Sequence, residues 1–263
     1  MYQKSSEQYH LDGSREADQL ALQSLTKHGK HNKFAKGILA LLRGYRKPTT
    51  VQRDTYAAYQ VFTATTSGDF TLTINGVDTV VSFDTSQTVT ASAAVTALNA
   101  LASDALAYGG RSIEADNRKA TITLTSCAVG TYFDICGVRI TAVQKVANGP
   151  DQFEISGTDT ADAQKLVAAI KAHPVLQDLV CADNSSGVVT VRSRRASTPA
   201  RDLAISGSGE SVSAAVLTAS TVVCVSCVRK GHVGNWITTA VTGTGAAVGA
   251  ARMTGGVTVH ETL

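Results

Sequence analysis

The residues best suited to chemistry lie together in VVCVSCVRKGHVGNW, residues 222 to 236, which holds Cys224, Cys227, His232 and the only tryptophan of the chain, Trp236. Thiols at i and i+3 with an imidazole nearby are the donor set of a zinc site or the pair of a thiol–disulfide centre. The surroundings argue against both. Valines flank the thiols, so the stretch reads as a strand, and residues three apart on a strand face opposite sides of its sheet. A structural zinc site also needs four ligands, and no second C-x-x-C or H-x-x-x-H supplies them. A redox C-x-x-C opens a helix rather than sitting in a Val-rich strand. Cys224 and Cys227 therefore read as small buried thiols. The five cysteines, an odd number, do not suggest a disulfide scaffold, and reduced thiols are the default. A disulfide from Cys224 or Cys227 to Cys127, Cys136 or Cys181, or between subunits, stays open.

Other catalytic signatures are missing. The sequence has no G-x-x-x-x-G-K-[ST], G-x-S-x-G or H-E-x-x-H, and GTGAAVG at 243 to 249 has the wrong spacing for a dinucleotide loop. Asp159 and Asp162 read as helix-start residues facing the positive end of the helix dipole, and His173, before Pro174, as a helix-end cation. The expectation is a protein that is not an enzyme, with no catalytic, cofactor-binding or metal residues and no cofactor. Aromatic residues that could stack on a sugar are limited to Trp236, Tyr132 and Tyr108.

What positions these residues is a chain of 263 residues, 43% hydrophobic and 17% charged, which excludes a disordered polymer. No uninterrupted apolar run is longer than the five residues of Ile38 to Leu42, far short of the roughly 20 residues of a membrane span, so neither a membrane partner nor an export signal is expected. Charge is uneven. Residues 1 to 53 carry ten Lys/Arg against four Asp/Glu, whereas the remainder carries fourteen against seventeen. From Lys27 to Arg53 there is no acidic residue, a composition drawn to acidic surfaces or nucleic acid. Phe34, Ile38, Leu41, Leu42 and Tyr45 fall on one helical stripe, with Lys36, Arg43, Arg46 and Lys47 as a charged rim. READQLALQSL places Ala17, Leu20, Ala21 and Leu25 on another, capped by Ser14. Residues 1 to 53 are thus expected to form a basic, partly helical arm whose apolar face packs either on the chain's own body or on a neighbouring subunit. Direct nucleic-acid binding by the arm is the weaker reading, since no zinc, helix-turn-helix or stacking motif accompanies the charge.

Beyond Asp54 the pattern alternates. DFTLTINGVDTVVSF reads as a hairpin about Asn75-Gly76. A helix follows, with Val95, Leu98, Leu101 and Ala102 at helical spacing, and then two strands joined by an Asp116-Asn117 turn. The same order returns. GVRITAV and QFEISG mirror the first hairpin, with ICGV at 135 to 138 over INGV at 74 to 77. A helix over 158 to 173 buries Ala163, Leu166, Val167 and Ile170 and is capped by Thr158, Asp159 or Thr160. Two strands then flank an Asn184 to Gly187 turn. A further repeat, shifted by 34 positions, lays VVTVRSRRASTPARDLAI over VVCVSCVRKGHVGNWITT. There Cys224 stands over Thr190, Cys227 over Ser193 and His232 over Thr198. The expected fold is α+β: two repeated small strand-strand-helix-strand-strand modules, 54–133 and 134–263, preceded by the arm 1–53.

The succession TLTINGV, TADAQKLVAAIKAHP, VVTVRS and GHVGNWITTAVTG, closed by MTGG, resembles the small α+β modules of tailed-bacteriophage structural proteins, including contractile-tail sheath and virion surface proteins. The resemblance covers about residues 61 to 256; its G-x-x-G-N turn is complete at Gly231 to Asn235 and reads TPARD in the sister copy. It implies a non-enzymatic virion subunit, assembled in the host cytoplasm, whose partners are major capsid or tail proteins and further copies of itself. A capsid decoration or cement role docked through the arm is favoured. A tail component (sheath-like, tube or neck/collar) is the alternative, and a carbohydrate-binding surface module a further one.

Overall fold

The structure, a computed structural model, describes residues 3–5, 8–10, 50–101, 113–144, 147–228 and 230–262. The chain divides into two compact units, Met1–Val51 with His260–Leu263, and Gln52–Val259. In the first, β1 (Gln3–Ser5) and β2 (Gln8–His10) pair antiparallel. The helical stripe of Phe34, Ile38, Leu41, Leu42 and Tyr45, its rim of Lys36, Arg43, Arg46 and Lys47, and the earlier helix over Ala17 to Leu25 lie outside the described residues.

From there the chain order is β3 (Thr50–Tyr56), β4 (Tyr59–Ala64), β5 (Phe70–Ile74), β6 (Val77–Val81), α1 (Gln87–Ala100), β7 (Ile113–Thr123), β8 (Tyr132–Ile135), β9 (Val138–Val143), β10 (Gln152–Glu154), α2 (Asp159–Ala172), the short α3 (Leu176–Leu179), β11 (Val180–Ser185), β12 (Val188–Ser193), β13 (Ile205–Gly207), β14 (Ser211–Val212), β15 (Thr218–Cys227), β16 (Thr239–Gly243), β17 (Ala246–Val248) and β18 (Val257–Thr262). The fold is α+β with strands predominating. A large sheet runs β11-β12-β7-β15-β4-β17, with β14 also on β7. A three-stranded sheet has the order β16-β5-β6, a four-stranded one β10-β9-β8-β13, and β18 pairs with β3.

Local chemistry explains the elements. Asn75 and Gly76 have φ of +51° and +80°, and Cys136 and Gly137 have +52° and +80°. Positive φ at both central residues is the two-residue turn whose twist matches that of paired strands, so INGV and ICGV close the β5–β6 and β8–β9 hairpins. Helix α1 starts at Ser86, whose side chain accepts from Val89 N, and α2 at Thr158, whose side chain accepts from Ala161 N. Asp162, within the first turn of α2, is buried and accepts from both the backbone N and the hydroxyl of Ser156.

Two apolar cores result. One joins Ala91, Ala94, Val95 and Leu98 of α1 to Phe62, Leu72, Ile74, Ile113, Ala115, Val223 and Val225. The other joins Ala163, Leu166, Val167 and Ile170 of α2 to Ile122, Phe133, Ile140, Phe153, Val189 and Val191. Each fully buried Leu, Ile or Phe contributes about 1.5–3 kcal/mol, so these two clusters fix the unit. The long strand β7 serves both, giving Ile113 and Ala115 to the first and Ala120 and Ile122 to the second.

Several expectations give way here. No turn occurs at Asp116-Asn117, since β7 runs straight through; Arg118 clamps Asp116 with three contacts while Asn117 bonds Ser92 and Ser220, so their polar groups are satisfied inside a strand. GVRITAV and QFEISG are not a hairpin: β9 takes β8 as its antiparallel partner and β10 lies parallel to β9. The two cores do not divide the chain at 133/134 either, because the first includes Val223, Val225, Ile237 and Met253. His173, the residue that ends α2, is buried: the backbone N–H groups of Val175 and Leu176 point at its Nδ1, and its Nε2 lies 2.9 Å from Asp151 Oδ1.

Candidate functional site

The two thiols of VVCVSC part company in β15. Cys227 lies with Val223 and Val225 in the α1 core, while Cys224 faces the other side of the large sheet. That is the two-residue alternation of a strand, and the buried-thiol expectation holds: Cys224 and Cys227 are both buried and neither is in a disulfide. His232 sits apart, its Nδ1 3.0 Å from Thr258 Oγ1. Among the described residues no three His, Cys, Asp or Glu side chains group as metal ligands.

On its own face Cys224 meets a cluster of sulfur, aromatic and cationic groups. Its sulfur lies 2.9 Å from that of Cys181 in β11, and both are buried. Around them stand Tyr56 and Tyr59, ring centroids 6.4 Å apart in an edge-to-face pair, and the guanidinium of Arg194, 4.3 Å from the Tyr56 ring centre and 5.4 Å from that of Tyr59. Arg194 Nε donates to Val180 O at 2.9 Å, while its two terminal nitrogens are buried without a hydrogen bond of ordinary geometry. Arg192, near the end of β12, donates to Asp183. Among the described residues Arg194 is thus a cation held by ring faces and a backbone carbonyl rather than by a carboxylate.

The electrostatics follow. Burial pushes the phenols of Tyr56 and Tyr59 upward. In the thiol pair the hydrogen bond from Cys181 holds Cys224 below the ordinary thiol value, with Arg194 adding to the effect, whereas burial raises Cys181. Such a pair can do thiol–disulfide chemistry, and the Arg–Tyr stack can hold strand ends together. Beside it a cavity of about 20 Å³, lined in part by Ala57, Cys227 and Arg194, has room for one water. Its charged rim is paired, Arg195 with Glu114 and Lys230 with Asp178.

The loop after β15 is organised by its Gly and Asn residues. Residues His232–Trp236 form a 3-10 turn. Asn235 Oδ1 accepts from Gly256 N at 2.9 Å and its Nδ2 donates to Gly256 O at 3.0 Å, a two-point clamp on the chain. Trp236 is 66% exposed, with the Arg252 guanidinium 5.9 Å from its ring centre. Tyr132 has Arg139 at 3.8 Å over its ring, and Tyr108 lies outside the described residues.

Sequence reasoning missed Arg194, Tyr56, Tyr59 and the approach of Cys181 to Cys224. A signal for the first existed: Arg192 and Arg194 stand two apart in VRSRR, placing two cations on one face of a Val-rich strand. The approach itself depends on how a many-stranded sheet curls, which no local pattern encodes.

The sequence matches no protein-family model and no curated protein.

Proposed function

We propose that this chain is a non-enzymatic structural subunit of a tailed-phage virion, built from a duplicated module and docking on preassembled shells as a decoration or cement protein through residues 1 to 53. The observation that carries the reading is a correspondence of strand registers. Phe62 and Gln60 of β4 pair with Val223 and Val225 of β15, and Ile122 and Ala120 of β7 pair with Val189 and Val191 of β12. Ile113 and Asp116 pair with Cys227 and Cys224, as Val180 and Asp183 pair with Ser193 and Thr190. The match extends to the edges: Val248 pairs with Phe62 and Val212 with Ile122.

Backbone bonds outside the ladders follow the same offsets. Asn75 N donates to Thr238 O, as Cys136 N donates to Ala204 O. Thr239 N bonds Ala251 O and Met253 N bonds Ile237 O, as Ile205 N bonds Ala215 O and Leu217 N bonds Leu203 O. These pairs support two copies of one module, the second (residues 118–220) set inside the first (59–117 with 222–256). The insertion replaces the tight turn that Ser186-Gly187 makes between β11 and β12. A module that takes in a copy of itself without losing register extends a surface by repetition, which suits a lattice-bound protein. A basic segment outside the modules adds a linked second contact, and linked contacts reinforce one another.

Purified protein added to shells lacking it should bind and raise their disruption temperature. Leu41→Asp with Leu42→Asp should abolish incorporation while the rest of the chain stays folded. Assembly into rings or tubes with no effect on shells would replace this reading with the tail component. Salt-sensitive DNA binding lost on deleting residues 1 to 53 would assign that segment to nucleic acid.

A further inference from the structure

Cys181 and Cys224 belong to β11 and β15, which are not neighbours in the large sheet, yet their sulfurs stand 2.9 Å apart. A disulfide bond is about 2.05 Å long, so bond formation asks for a closure of less than about 1 Å. Both side chains are buried and face one another across the curl of the sheet, beside the carboxylate-free guanidinium of Arg194. We propose that Cys181 and Cys224 are a redox pair that forms an intramolecular disulfide joining β11 to β15, with a low-molecular-weight disulfide as oxidant.

The chemistry is two thiol–disulfide exchanges. Cys224, as thiolate, attacks one sulfur of the small disulfide; a protein–small-molecule S–S bond forms and one small thiolate leaves. Cys181 then gives its proton to solvent and attacks the Cys224 sulfur, forming the Cys181–Cys224 bond and expelling the second small thiolate. Two protein thiols are oxidised by two electrons, and one small disulfide is reduced to two thiols. Arg194 supplies the positive charge that favours a thiolate at Cys224 as first attacker. Because both sulfurs are buried, exchange proceeds when β11 opens. β11 is a terminal strand of the large sheet, paired there with β12, and terminal strands open at lower cost than central ones.

The bond would also link β11, which gives Val180 and Ala182 to the core of α2, to β15, which gives Val223 and Val225 to the core of α1, at a point away from β7, the strand the two cores share. This inference stands apart from the virion reading and is tested separately. The full-length protein is held with oxidised glutathione at a temperature just below its unfolding transition, denatured, alkylated and digested. The expected product is a Cys181–Cys224 linked peptide two protons lighter than the thiol pair, with Cys127, Cys136 and Cys227 alkylated. The oxidised protein should melt about 5–10 °C above the reduced one, and Cys224→Ser and Cys181→Ser should each lose both the linked peptide and the shift. Five alkylated cysteines, a linked peptide from another pair, or a glutathione adduct that never resolves would each overturn the proposal. Since the wild-type product is read directly, a serine variant that fails to fold leaves the test intact.

Discussion

Cys136 holds a left-handed backbone, φ +52°, at a hairpin turn where its counterpart Asn75 holds φ +51°. For most residues this region costs roughly 1–2 kcal/mol, and asparagine pays less because its short polar side chain bonds locally. Cys136→Asn, which rewrites ICGV as INGV, should therefore stabilise the protein by about 0.5–1 kcal/mol, read as a higher urea midpoint at unchanged slope. The same thiol governs an alkaline effect. Burial raises Cys136 from 9.0 to about 12 and Cys127 from 9.0 to about 11. The unfolded chain thus loses these protons before the folded one does, and the stability they carry is whole below about pH 9 and declines as pH rises toward the folded values. Unfolding free energies between pH 8 and 11 should show a downward slope that Cys136→Asn makes shallower; an equal slope in the variant would count against the assignment.

At the scale of elements, the 3-10 turn after β15 is held from two sides. Gly234 packs so closely that an added Cβ would lie 2.7 Å from the Ala58 Cβ and 2.9 Å from that of Cys227. Gly234→Ala should cost about 1–3 kcal/mol by overpacking. Asn235→Ala removes both bonds to Gly256 and should cost about 1–3 kcal/mol; a melting temperature unchanged in either variant would show that the turn is not held as described. The G-x-x-G-N spelling made this turn legible in the sequence. The β5–β6 turn, the stripe of α2 and the Thr158 cap were legible for the same reason: each is set by residues within one turn of helix or hairpin. Asp116-Asn117 misled because a polar pair that signals a turn in isolation is here satisfied by Arg118, Ser92 and Ser220, the last from a distant strand.

For the whole molecule the question is how its two apolar cores fold. Every buried residue of the α2 core falls between Ala120 and Leu217, whereas the α1 core draws on residues both before and after that span. The two ends of the span also meet: Ala219 pairs with Arg118, and Ser220 Oγ donates to Asn117 O. An inserted unit with its own core and adjacent ends meets the usual conditions for independent folding. Residues 118–220 expressed alone should therefore unfold in a single cooperative transition with native-like protection of α2 and β12 amides. The remainder, with that span replaced by a two-residue turn like Ser186-Gly187, should keep the β4–β15 ladder, yet at lower stability, because β7 then ends where its second half had anchored β12 and β14. Hydrogen exchange on both pieces separates the outcomes. A fragment 118–220 without slow amides would mean that the cores are one cooperative body, and that the matching registers reflect sheet geometry rather than duplication.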